Sequence, residues 1–148
     1  MESVIVGVDG SEQSRRALLF ALERARLKEW RVHIVHVVNW SRWYDSPNLR
    51  DLEQRPTRIK EERESVQRTM LDPLVEELQR ENLAEGLEVQ TSIHFGRPSE
   101  VLSELALKED HGIIIIARTG DSNLKQAIFG STANRLVQHA PVPVVVVP

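Results

Sequence analysis

Three runs of almost unbroken β-branched residues, SVIVGV (3–8), GIIIIA (112–117) and VPVVVV (142–147), constrain this chain more than any other feature. A strand with one wet face alternates apolar and polar side chains, whereas a strand covered on both faces does not need to. The three runs therefore read as strands of a sheet with helices on both sides. Two further runs, RVHIVHVV (31–38) and LEVQTSIHF (87–95), have the length and β-branched content of strands.

The intervening segments carry helical spacing. Behind Ser11, a candidate N-cap, residues Ala17, Leu18, Ala21, Leu22 and Ala25 recur at intervals of three and four over 11–28. A long helix is expected from about Ile59 to Glu81, with a kink or break near Asp72 because Pro73 follows. A third begins at Pro98 and carries Val101, Leu102, Leu105 and Ala106 on one face. A fourth spans Ser131 to His139 and stops before Pro141. Strands alternating with helices predict an α/β fold, a single doubly wound domain over residues 1–148 with a largely parallel sheet and right-handed crossovers. The longest irregular stretch, NWSRWYDSPNLRDLEQRPT, follows the second strand and contains Trp40, Trp43 and Tyr44. These aromatic residues are expected on the rim of any site at the strand ends, covering a ligand base, meeting a partner or packing the loop onto the domain.

Composition removes several function classes. Nineteen basic against 22 acidic residues give a formal net charge of −3, so the chain has no general attraction to nucleic acid or an anionic membrane. With no cysteine there is no disulfide framework, thiolate metal site or cysteine nucleophile. No apolar run approaches the roughly 20 residues of a membrane span, and MESVIVGVDG lacks a basic leader before a long apolar core, so a cytoplasmic protein is expected. His33 and His36 are three apart on a strand and face opposite sides, which argues against a metal held by that pair.

The residues that suggest chemistry sit at two strand ends, where ligands bind in doubly wound sheets. After the first run, Asp9 can accept hydrogen bonds from sugar hydroxyls or approach a metal, and Gly10 allows a tight turn. After the fourth, Gly130, Ser131 and Thr132 directly precede a helical segment, whose unpaired N–H groups and positive dipole end favour a phosphate. A plain structural alternative is that Gly130 makes a turn and Ser131 caps the helix. Neither a Walker A loop nor a G-x-G-x-x-G fingerprint is present, and without a G-x-S-x-G elbow a serine hydrolase has little support.

The spacing Ala117-x2-Gly120-x9-Gly130-Ser131 resembles the G-x2-G-x9-G-[ST] motif of the universal stress protein family at all but its first position. VGVDGSEQSRRAL resembles the family's first strand, aspartate and helix, and VQHAPVPVVVV its last helix and strand, so the similarity spans essentially the whole chain. Gly112 departs from the acidic residue common before the family's fourth strand. The resemblance implies a five-stranded parallel sheet of order 3-2-1-4-5 flanked by four helices, binding ATP or another adenine nucleotide, with Mg reaching Asp9 through the nucleotide. Carried over by position, Gly7, Val8 and Asp9 line the nucleotide and Val37 meets the adenine through its backbone. Ile116, Ala117, Thr119 and Gly120 border ribose and phosphates, and Gly130, Ser131, Thr132 and Ala133 hold the phosphate tail. The resemblance also implies a homodimer through the last strand, Val142 to Val147, which would cover an apolar edge.

Ala117 is the departure that bears on binding. If its backbone were left-handed, alanine would cost roughly 1 kcal/mol relative to glycine, several-fold in affinity. In the β region the cost is near zero. The expected role is a dimeric, nucleotide-loaded stress regulator or interaction module. Two alternatives are a degenerate member acting only through protein contacts and a slow ATPase or self-phosphorylating enzyme, for which the sequence offers only Asp9, Arg118 and the Ser131 hydroxyl.

Overall fold

The computed structural model describes residues 2–39, 49–120 and 130–148, with 49–54 as backbone only. Five parallel strands form one sheet: β1 (Ser3–Gly7), β2 (Arg31–Asn39), β3 (Val89–Gly96), β4 (Ile113–Ala117) and β5 (Val144–Val147). Their order is β3-β2-β1-β4-β5. The β-branched runs occupy the centre as expected: Val4, Ile5, Val6 and Ile114 are fully buried because helices cover both faces of β1 and β4.

On one face lies α1 (Glu12–Lys28), burying Ala17, Leu18, Ala21, Leu22 and Ala25 against Val4, Val6, Val32, Ile34 and Ile115. Ser11 caps it, its side chain accepting from the Ser14 N–H. The same face is completed by a continuous helical rod of α2 (Leu49–Val66), a π-helical turn (Gln67–Leu71) and α3 (Asp72–Arg80). The other face is covered by α4 (Pro98–Lys108) and α5 (Ser131–His139), whose Leu102, Leu105, Ala106, Ala133 and Leu136 pack on Ile5, Val35, Val37, Ile114 and Ile116. With the rod taken as one, four helices flank the sheet among the described residues, as expected.

Two expectations change. The rod starts at Leu49 rather than Ile59 and passes through Pro56, so part of the stretch read as irregular is helical. Around Pro73 the chain does not break, and the irregularity expected near Asp72 takes the form of a π-helical turn: the Asp72 N–H bonds the Gln67 carbonyl, and the extra residue of this wide turn accommodates the proline, which has no N–H to give. Trp40, Trp43 and Tyr44 lie outside the described residues. Among the described residues no helix is long and apolar enough to cross a membrane.

Candidate functional site

β1 and β4 are neighbours whose following connections leave to opposite faces of the sheet, α1 to one and α5 to the other. Such a divergence opens a crevice at the carboxyl ends of the strands. The crevice here is a cavity of about 400 Å³. Its lining includes all twelve residues that the family resemblance assigns to a nucleotide: Gly7, Val8 and Asp9 at the end of β1, Val37 on β2, Ile116, Ala117, Thr119 and Gly120 at the end of β4, and Gly130, Ser131, Thr132 and Ala133 at the start of α5.

Asp9 is held in place by the start of α1. Its Oδ1 accepts from the Ser11 N–H (2.9 Å) and from the Ser11 hydroxyl, while its own N–H donates to Ser14 Oγ (3.2 Å). Its other oxygen, Oδ2, lies against Gly120, where an added Cβ would overlap it. A Cβ at 120 would therefore force the Asp9 carboxylate to shift, and no unusual φ calls for glycine there. Gly7 has a related role, since a Cβ there would stand 3.1 Å from Leu102 Cδ1 on the cleft floor.

The backbone of β2 offers an edge to the cleft. The Val8 N–H donates to the Val35 carbonyl (2.9 Å), and the β1–β2 ladder ends at Gly7 and Val35. In a parallel sheet the N–H and C=O of one residue point to the same neighbour, and residues two apart point the same way. Val37 thus directs its N–H and C=O to the side where β1 has already turned away into Asp9 and Gly10. This arrangement suits a flat, heteroatom-rimmed ring.

Gly130 closes the site from the other side. Its N–H donates to the Arg118 carbonyl (2.8 Å), and it sits beside Thr119 and Gly120, so the two glycines of the motif meet although nine residues separate them. Gly130, with φ −66° and ψ 164°, is the N-cap of α5 and has no side chain to satisfy the first turn. Ser131 is the first helical residue, not the cap, contrary to the plain structural reading. The N–H groups of this first turn point out of the helix end toward the cleft, an arrangement suited to anionic oxygen.

Ala117 has a definite geometry. It is the last residue of β4, paired with Val147, and it is not among the residues with positive φ. Its methyl alternates with Ile116 and lies with Ile113 and Ile115 on the α1 side of the sheet, packed against that core. The left-handed penalty does not apply.

Sequence reasoning missed part of the lining. Ser14, Val35, Asn39, Pro98 and Leu102 also border the cleft, as does Arg118, which the sequence offers only as a catalytic candidate. Ser14 lies in the first turn of α1 and Leu102 in the periodic apolar face of α4, so neither carries a local signal of a site. An adjoining cavity of about 200 Å³ shares Asn39, Pro98, Ser131 and Thr132 and adds Arg97 and Arg135, which supply positive charge beside the α5 terminus. Of the two histidines discounted as a metal pair, His36 donates to the Val8 carbonyl from Nδ1 (2.7 Å), while His33 is buried at the opposite end of the sheet.

The model of the universal stress protein family matches residues 1–148. Universal stress protein MJ0531 of Methanocaldococcus jannaschii is 26% identical over 146 residues, covering 99% of this chain and 81% of that protein. The fold is similar to that of universal stress protein UspA from Lactobacillus plantarum (TM-score 0.81, 20% identity, 99% of this chain and 97% of that one). It is also similar to a universal stress protein from Archaeoglobus fulgidus in complex with dAMP (TM-score 0.64, 22% identity, 100% and 98%). With the sheet order, the glycine spacing and a family match from end to end, the chain belongs to the universal stress protein family.

Proposed function

We propose that this protein binds an adenine nucleotide, ATP in the first instance, in the cleft between β1 and β4, and works as a nucleotide-loaded, dimeric stress-response regulator or interaction module. The observation that carries this reading is convergence: twelve residues drawn from four separate stretches of sequence line one cavity of about 400 Å³. Their chemistry is ordered along the cleft. The Val37 backbone edge suits an adenine, Asp9 suits ribose hydroxyls, and Gly130 to Ala133 at the α5 terminus suit a phosphate tail. The dAMP complex of the Archaeoglobus fulgidus protein supports the adenine assignment by analogy of fold.

The residues also fit a magnesium nucleotide. Asp9 is the one carboxylate of the lining among the described residues, and magnesium commonly binds through one or two carboxylates together with phosphate oxygens. When bound, the ion would neutralise phosphate charge; Asp9 would hold it, and Ser11 would orient Asp9.

The dimer belongs to the same proposal. β5 is an edge strand whose four valines are only half-buried, and its outer side carries no strand among the described residues. Antiparallel pairing with a second copy of this strand would cover it by an isologous contact.

Calorimetric titration of ATP into purified, nucleotide-stripped protein tests the central claim. Saturable binding near one nucleotide per chain is expected. Absence of heat at millimolar ATP would leave the protein as a member acting through its surface alone.

A further inference from the structure

At the amino end of the sheet, far from the nucleotide cleft, three ligand-type atoms meet. His33 Nδ1 stands 3.0 Å from His111 Nε2, and each nitrogen is 3.1 Å from Glu109 Oε2. Both histidines are buried, at 2% and 6% exposure, while the Glu109 side chain remains 39% exposed. The turn after α4 brings two of the three together: Asp110 takes a left-handed φ of 57°, and the His111 N–H closes back on the Ala106 carbonyl (2.9 Å). Glu109 and His111 thereby face His33 on β2.

We infer that His33, Glu109 and His111 form a binding site for a divalent cation of the zinc class, linking β2 to the α4–β4 turn. The geometry favours a cation over protons alone. Three mutually close atoms have three edges, but each ring places one nitrogen there, so the two imidazoles bring at most two protons into the triangle. If both N–H groups point to Oε2, the two donors face each other; if one histidine donates to the other, a ring lone pair faces the carboxylate. A cation at the centre satisfies all three lone pairs. Ligand atoms on a tetrahedral ion at roughly 2.0–2.1 Å stand about 3.3 Å apart, so the triangle needs to open by only a few tenths of an ångström.

The outer contacts have the form that metal-bound histidines use. His111 Nδ1 meets Ser3 Oγ at 2.6 Å, and His33 Nε2 meets Ser92 Oγ at 2.6 Å, so each ring can donate its remaining N–H to a hydroxyl while the other nitrogen faces the ion. Ser92 Oγ is in turn 2.9 Å from His94 Nε2 and can pass its proton there. The exposed side of Glu109 gives an entry path and leaves the fourth position to water. Two histidines and one carboxylate, with no thiolate, suit zinc, cobalt or nickel better than magnesium or calcium.

The test uses full-length, tag-free protein, stripped by a chelator and titrated without nucleotide with Co2+ and then with Zn2+. One ion per chain is expected, with the intense visible bands of four-coordinate cobalt. Glu109→Gln alters an exposed side chain and should leave the circular dichroism unchanged while weakening uptake at least about tenfold. His111→Ala should remove it, and His139→Ala, on the exposed end of α5, should leave it as in the parent. If His111→Ala does not fold, the Glu109→Gln comparison decides alone. Failure of either ion to bind stoichiometrically, or uptake that Glu109→Gln leaves intact, overturns the site.

Discussion

Two substitutions separate what the cleft glycines and Ala117 do. The Ala117 methyl packs on the α1 side and its backbone is extended, so Ala117→Gly keeps the backbone at this position of the lining and removes a methyl that packs on the α1 core. Nucleotide affinity by calorimetry should stay within about threefold, while stability falls by roughly 0.5–1 kcal/mol from the added chain entropy of glycine in a strand. A tenfold gain in affinity would show that the methyl obstructs the ligand after all. Gly120→Ala should behave in the opposite way. The new Cβ would overlap Asp9 Oδ2, and the carboxylate cannot swing aside without giving up its bonds to Ser11. Loss of one charge-assisted hydrogen bond to ligand is worth about 1.5–3 kcal/mol, so affinity should drop about tenfold or more. Unchanged affinity in Gly120→Ala would separate Asp9 from nucleotide binding.

Between elements, α1 and α3 are tied by an ion pair whose pH response has a definite sign. Arg15 Nε donates to Glu77 Oε1 at 2.9 Å and Nη2 donates to the same oxygen. This hydrogen bond, the largest influence, holds the Glu77 carboxyl below its ordinary range. A depressed carboxyl stabilises the fold above its unfolded pKa of about 4.3, and the contribution disappears as pH falls through the lower folded value. Both side chains are partly solvated, at 33% and 21% exposure, so the effect is at most about 1 kcal/mol. Glu77→Gln should lower the melting temperature by a few degrees at pH 7, and the difference from the parent should close on acidification below about pH 4. A difference that persists undiminished in acid would assign the effect to packing. The elements themselves were largely legible in the sequence. β1, β4 and the α1 face are written as unbroken or periodic apolar residues because burial requires them, and Ser11 and Pro98 mark helix starts through local chemistry. The start of α2 and the π turn were not legible, because Pro56 and Pro73 read as breakers locally and only the surrounding rod keeps the helix going. The cleft was readable where glycine spacing recorded it, at 120 and 130. Leu102 and the His33–His111 contact were not, since the latter joins residues 78 positions apart that only the sheet order brings together.

At the level of the whole molecule, the alternation of β5 allows its intrachain and outward hydrogen bonds to be separated. The Ile114 N–H donates to the Pro143 carbonyl (3.0 Å) and the Arg118 N–H to the Val147 carbonyl (2.7 Å). Residues 143, 145 and 147 therefore turn their backbone groups toward β4, and the groups of Val144 and Val146 point out of the sheet. A proline at 146 removes only an outward N–H, which an edge strand tolerates, whereas one at 145 removes a bond of the parent sheet. If the protein dimerises by pairing β5 with its symmetry mate, Val146→Pro should give a monomer by light scattering with its circular dichroism retained and its melting temperature lowered by the loss of the partner. Val145→Pro should destabilise the chain whether or not it is paired, by roughly 3 kcal/mol if the cost of a proline in a helix interior carries over to this ladder. A Val146→Pro protein that remains dimeric would place the interface elsewhere, because the two-fold ladder through β5 requires the outward N–H that this substitution removes.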